Sequence, residues 1–100
     1  MPNAKPGTYV PDDADAFYMI RDAVRDSNGL IHGQLHKDGA SCAIGAFFDR
    51  NRDVGLRSDL IDEVAAYNDS IPPRITMKQR RRKVLAWLNW KLKVLAGGTK

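Results

Sequence analysis

The sequence predicts a mostly α protein, a small single-domain helical bundle of three main helices and a short buried central one. Three observations carry this. Apolar residues recur at spacings of three and four in three separate stretches, the signature of amphipathic helices. Residues that start helices precede these stretches, and turn residues separate them. One hundred residues, 43% of them hydrophobic, suffice for one core and not for two. Residues 1–10, which hold Pro, Gly and Asn, read as a flexible N-terminal arm, 11–96 as the helical domain, and 97–100 as a flexible tail.

The first helix is expected over Asp13 to Ser27. Asp12 and Asp13 follow Pro11 and are capping residues, and Asp15 sits in the first turn, where the helix dipole favours negative charge. Phe17, Ile20 and Val24, extended by Ala16 and Ala23, form its apolar face. Asn28-Gly29 reads as a left-handed stop, with Leu30 folding back on the helix. From Leu30 to Gly39 the apolar residues fit neither period. Lys37-Asp38-Gly39 is a turn signal, so residues 30–43 form either a loop or a short β-hairpin with Leu30 to His36 facing Ala40 to Ala43.

Ser41 is expected to cap a short helix from Cys42 to Arg50. Its run Cys42-Ala43-Ile44-Gly45-Ala46-Phe47-Phe48 is apolar on every side and belongs in the centre of the core. Asp49 to Arg57 is a polar loop. Ser58 is the expected cap of a third helix whose face is Leu60, Ile61, Val64, Ala65 and Tyr67, ending near Asn68. Ser70-Ile71-Pro72-Pro73 is then a stiff, extended connection that prevents the next helix from continuing the third.

The last helix, Thr76 to Ala96, opens with a capping box in which Thr76 and Gln79 satisfy each other's backbone N–H groups. At 100° per residue Met77, Val84, Leu85, Leu88, Leu92 and Leu95 share an arc of roughly 80–100°, an ordinary core stripe. Trp87, Trp90 and Val94 form a second stripe, separated from the first by Arg80 and Lys91. Lys78, Arg80, Arg81, Arg82 and Lys83 crowd the helix start, where the dipole disfavours cations but assists anion binding.

The charge is as uneven as the pattern. Arg74 to Lys100 holds nine basic residues and no acidic ones, whereas Met1 to Pro73 carries a net −5, giving +4 in all. Either the acidic body neutralises the basic helix internally, or the helix is a basic end that meets an anionic partner. The apolar run from Ala43 to Phe48, unbroken apart from glycine, is far too short to span a bilayer, and the N-terminus lacks the apolar core of a signal peptide. With one cysteine, Cys42, and hence no internal disulfide, the expectation is a cytoplasmic protein that does not engage a membrane.

Four constellations bear on chemistry. Asp49, Asn51 and Asp53 place oxygen side chains at alternate positions like a calcium loop, but Val54 stands where the turn wants glycine, Leu60 where a carboxylate should be, and Arg50 and Arg52 add positive charge. The simpler role is a solvated turn. Cys42 with His32 and His36 suggests an activated thiol, yet no orienting acid or oxyanion loop accompanies it, and one Cys with two His leaves a zinc site short of a fourth ligand except Asp38. Asn68 and Asp69, after Tyr67, fit a helix cap and turn, or the lining of a small polar pocket. No catalytic residue, metal ligand or cofactor is assigned.

The fourth constellation is the candidate site: Lys78, Arg80, Arg81, Arg82, Lys83, Trp87, Trp90 and Lys91, with Lys93 beyond them. Lysine and arginine neutralise anions, and indole rings act as stacking platforms or interface anchors. The same tryptophans suit a core stripe equally. No known nucleic-acid motif is present.

Gly39, Cys42-Ala43-Ile44-Gly45-Ala46, Tyr67-Asn68-Asp69, Thr76 and Val84-Leu85 with Leu88 together resemble an uncharacterised domain family of small actinobacterial and phage proteins. That family's pattern has a glycine turn, Cys-x-x-Gly-Ala, an aromatic-Asn-Asp triplet and a Thr-initiated final helix. Tyr67 stands in place of a tryptophan, and the basic cluster departs from the family's more neutral helix. The resemblance implies a bacterial or phage source and assigns no activity or residue role.

The leading expectation is a non-enzymatic interaction protein, such as a phage-encoded modulator or inhibitor of a host protein. Its basic, Trp-bearing last helix would engage an anionic partner, either an acidic protein surface or nucleic acid. Replacing Arg80, Arg81 and Arg82 with alanine is then expected to abolish capture and leave the fold intact. Alternatives are a nucleic-acid-binding protein, a small enzyme using Cys42, and a homo-oligomer joining the acidic body of one copy to the basic helix of the next.

Overall fold

The computed structural model describes residues 9–32, 36–37 and 40–97. The chain is mostly helical. Its elements run α1 (Asp13–Arg25), β1 (His36–Lys37), β2 (Ala40–Ser41), α2 (Ala43–Arg50), α3 (Ser58–Ser70) and α4 (Met77–Leu95). Among the described residues no helix is long and apolar enough to cross a membrane.

α1 starts as its sequence dictates. The Asp12 carboxylate accepts the Asp15 N–H at 3.0 Å, and Asp13 and Asp15 occupy the first turn. Ala16, Phe17, Ile20, Ala23 and Val24 are its buried face. The helix stops two residues short of Ser27, whose hydroxyl donates to the Val24 carbonyl. Gly29 then adopts φ +145°, a conformation that favours glycine, and Leu30 is fully buried. A Cβ at Gly29 would stand 2.7 Å from the Met77 Cβ, so this glycine also permits the close approach of α4.

The hairpin exists in minimal form. β1 and β2 pair antiparallel, His36 opposite Ser41 and Lys37 opposite Ala40, a ladder of two residues per strand and shorter than the expected one. The Lys37-Asp38-Gly39 turn itself lies partly outside the described residues, as do the arm at 1–8 and the tail at 98–100. Tyr9, expected in the arm, is tied down: its N–H donates to the Asp53 carbonyl at 3.4 Å, and its carbonyl accepts the Gly55 N–H at 2.7 Å.

α2 is the buried central helix that its composition requires, with Ala43 through Phe47 all inside. It packs against α1 and α3, and α1 in turn packs along α4. Ser41 is not its cap; Cys42 occupies that position without a side-chain capping bond. Ser58 likewise is the first residue of α3 rather than its cap, because the Arg57 carbonyl already accepts the Ile61 N–H. Arg57 anchors that end through ion pairs to Asp13 and Asp59. α3 runs past Asn68 to Ser70 and stops at Ile71, which is extended as a residue before proline must be. The core joins Phe17, Ile20, Leu30, Ile44, Phe47, Leu56, Val64, Val84 and Leu88.

Candidate functional site

α4 begins as predicted. Thr76 Oγ1 accepts the Gln79 N–H at 3.0 Å, and the Gln79 side chain accepts the Thr76 N–H at 2.9 Å. Val84, Leu88 and Leu92 face the core. Met77 and Leu95, expected on that stripe, are exposed at the two ends of α4.

The basic cluster divides. Arg80 is only 2% exposed. Its Nη1 donates to the Asn68 carbonyl and its Nη2 to the Pro72 carbonyl at 2.7 Å, at the C-terminal end of α3. Burial pushes its pKa down, partly countered by Asp69, and an arginine here keeps its charge at neutral pH. Arg81 donates from Nη1 to the carbonyl of Arg25, the last residue of α1, at 2.8 Å. Both arginines therefore stand at helix C-termini, where carbonyls lack partners and the dipole favours cations. The apparent conflict of cations at the start of α4 is resolved by its neighbours' ends. Arg80 is thus a structural residue and not part of an exposed binding face.

The aromatic stripe divides as well. Trp87 is half-buried, stacked on Tyr67 with ring centroids 4.5 Å apart and edge-on to Phe17 at 6.2 Å. Lys91 pairs with Glu63 of α3 and lies 5.6–5.9 Å from the Phe17, Trp87 and Trp90 rings, so it too is drawn inward. Trp90 is 50% exposed and Val94 40%.

What remains outside is the far face of α4: Lys78, Arg82, Lys83 and Lys93 with Trp90 and Val94, all exposed. Lys78, Arg82 and Lys93 are spaced by four and eleven residues, which aligns them on one stripe. Lys83, Trp90 and Val94, spaced by seven and four, form the stripe beside it. Among the described residues none of these four cations forms an ion pair. Four of the body's carboxylates pair with arginines of the body, Asp22 and Asp26 with Arg21, Arg25 and Arg50, and Asp13 and Asp59 with Arg57. Of α4's cations, Lys91 alone is taken by an acid of the body among the described residues. Internal neutralisation thus leaves the outer face of α4 untouched.

The other constellations are placed too. Asn51 donates from Nδ2 to the Phe47 carbonyl at 3.0 Å, and Arg50 bonds Asp26 and the Asp22 carbonyl, so this turn ties α2 to α1. Among the described residues no group of three or more His, Cys, Asp or Glu is placed to hold a metal. Cys42 is buried, and the exposed His32 ring engages the Asp69 carbonyl through Nε2 at 3.0 Å. Asn68 is fully buried, and its Nδ2 donates to the Ile31 carbonyl at 2.9 Å and to Asp69 Oδ1 at 3.1 Å. It secures the segment after α1 to the end of α3, a role its helix-end position suggests but does not aim.

No protein-family model, no curated protein and no solved structure matches this chain.

Proposed function

We propose that the protein is a non-enzymatic binding protein that engages an acidic protein surface with the outer face of α4. One observation carries this: Lys78, Arg82, Lys83 and Lys93 stand exposed and without ion pairs among the described residues, beside a half-exposed Trp90, on a helix with no acidic residue. Solvated cations steer encounter with an anionic partner, and a large aromatic at their edge anchors it. An inhibitor that masks an acidic site on a larger protein, such as a phage-encoded one acting in a bacterial cytoplasm, is one protein of this kind. Nucleic acid is the second reading. It is favoured by the same indole, since an exposed ring among cations stacks bases of a single strand. The burial of Cys42 favours a structural role for it over a catalytic one.

Trp90 reports on both readings. In a Trp87→Phe variant Trp90 is the sole tryptophan, and its emission is titrated with poly-glutamate and with a single-stranded oligonucleotide at low and high salt. A change with poly-glutamate at low salt, lost in the Lys78→Ala/Arg82→Ala/Lys93→Ala variant, supports the acidic-partner reading. A stronger response to the oligonucleotide, falling steeply with salt, moves the assignment to nucleic acid. Silence toward both probes overturns the proposal.

A further inference from the structure

A cavity of about 300 Å³ opens between the segment that follows α1 and the start of α4. It is separate from the outer face of α4. Leu30 and Arg80, both buried, form its inner end; Ile31 and Ile75 are half-buried along it; His32, Pro73 and Met77 are exposed at its mouth. The lining thus combines apolar side chains with polar surface and one buried cation.

Among the described residues that cation forms no ion pair, although Asp69 favours its charged form. The described hydrogen bonds of the Arg80 guanidinium go to two main-chain carbonyls and none to a carboxylate. Two of its five N–H donors are so engaged, and the planar fork has capacity for a further acceptor. Met77, the first residue of α4, lies on the same wall, so the positive end of that helix adds to the potential. Low-dielectric walls focus such a field into the cleft. Apolar sides with a single positive charge at the inner end are complementary to an amphipathic anion. By the volume of liquid water, the space admits roughly ten heavy atoms.

We propose that this cavity binds a small organic carboxylate with a compact apolar body, its carboxylate directed at Arg80 and its body against Leu30, Ile31 and Ile75. The carboxylate belongs either to a free acid or to the C-terminus of a peptide ending in an apolar residue.

The test compares each acid with its uncharged counterpart on the wild-type chain, so it does not depend on a variant that fails to fold. Benzoate against benzamide represents the free acid, and N-acetylleucine against N-acetylleucinamide represents the peptide end. Binding is followed by amide shifts of Leu30, Ile31, His32 and Met77 and by the Arg80 Nε–H signal. At least one acid is expected to bind about tenfold or more tightly than its amide, since a charge-assisted bond is gained; which one does so identifies the source. An Ile75→Phe variant, which fills the cavity and leaves Arg80 in place, is expected to lose the shifts. The Lys78→Ala/Arg82→Ala/Lys93→Ala variant is expected to keep them, which separates this site from the outer face. Equal response to acid and amide, no response, or shifts confined to Lys78, Arg82 and Lys93 would overturn the proposal.

Discussion

α4 has two basic faces, and they have different fates. On the inner edge, Arg80 and Arg81 reach the open carbonyls at the ends of α3 and α1, and Lys91 reaches Glu63 among three aromatic rings. On the outer face, Lys78, Arg82, Lys83 and Lys93 meet water. All of these residues carry the same charge on one helix. What separates them is whether a neighbouring helix offers an acceptor beside them, an open carbonyl for Arg80 and Arg81 and a carboxylate for Lys91. A cation with such an acceptor helps to hold the fold together, whereas one without it stays in solvent.

The largest expected effect breaks this contrast at its sharpest point. Arg80→Ala removes two charge-assisted bonds and leaves the carbonyls of the buried Asn68 and of Pro72 without their partner. Urea unfolding should show a loss of about 3 kcal/mol or more. Arg82→Ala, two residues on, should stay within about 0.5 kcal/mol of wild type. Equal losses would erase the distinction between the faces. The triple replacement of Arg80, Arg81 and Arg82 is therefore expected to weaken the fold, which departs from the sequence-based expectation that it leaves the fold intact.

The tryptophans sharpen the comparison next. Trp87→Ala removes the Tyr67 stack and the Phe17 edge contact and should lower stability by about 2 kcal/mol. Trp90→Ala should change stability little and instead abolish most iodide-quenchable emission, read by fluorescence on each variant. At the seam between α1 and α4, Gly29→Ala meets both a positive φ and the Met77 Cβ, and a cost of about 1–3 kcal/mol is expected from the thermal midpoint. The smallest effect concerns acid. Arg25, and then Arg50, hydrogen-bond the Asp26 carboxylate and hold its pKa below the usual carboxylate value of 3.8. A depressed folded pKa contributes stability above the unfolded value and loses it as pH falls through the folded one. Asp26→Asn should therefore narrow the gap between urea midpoints at pH 7 and at about pH 3, though slightly, because the group is exposed.

Much of the fold was legible because its signals are local. The Asp12 cap, the Thr76–Gln79 box, the Ile71-Pro72 stop and the wholly apolar run of α2 act within a few residues of chain. The absence of caps at Ser41 and Ser58 was not legible, since a serine's position does not reveal which carbonyl starts the helix. The candidate site was legible only in part. Its charge and its indoles were evident, but Arg80, Trp87 and Lys91 could not be told from Arg82, Trp90 and Lys93 by residue type.

By itself, then, the sequence determined where helices begin and end to within a few residues, which stripe of each is apolar, and that the positive charge gathers on the last helix. Only the tertiary structure decided which of those charges are spent on holding helix ends. Helix periodicity depends on residues three and four apart, whereas the partners of Arg80 and Arg81 lie 8 to 56 residues away. Their proximity exists only once α1, α3 and α4 have packed.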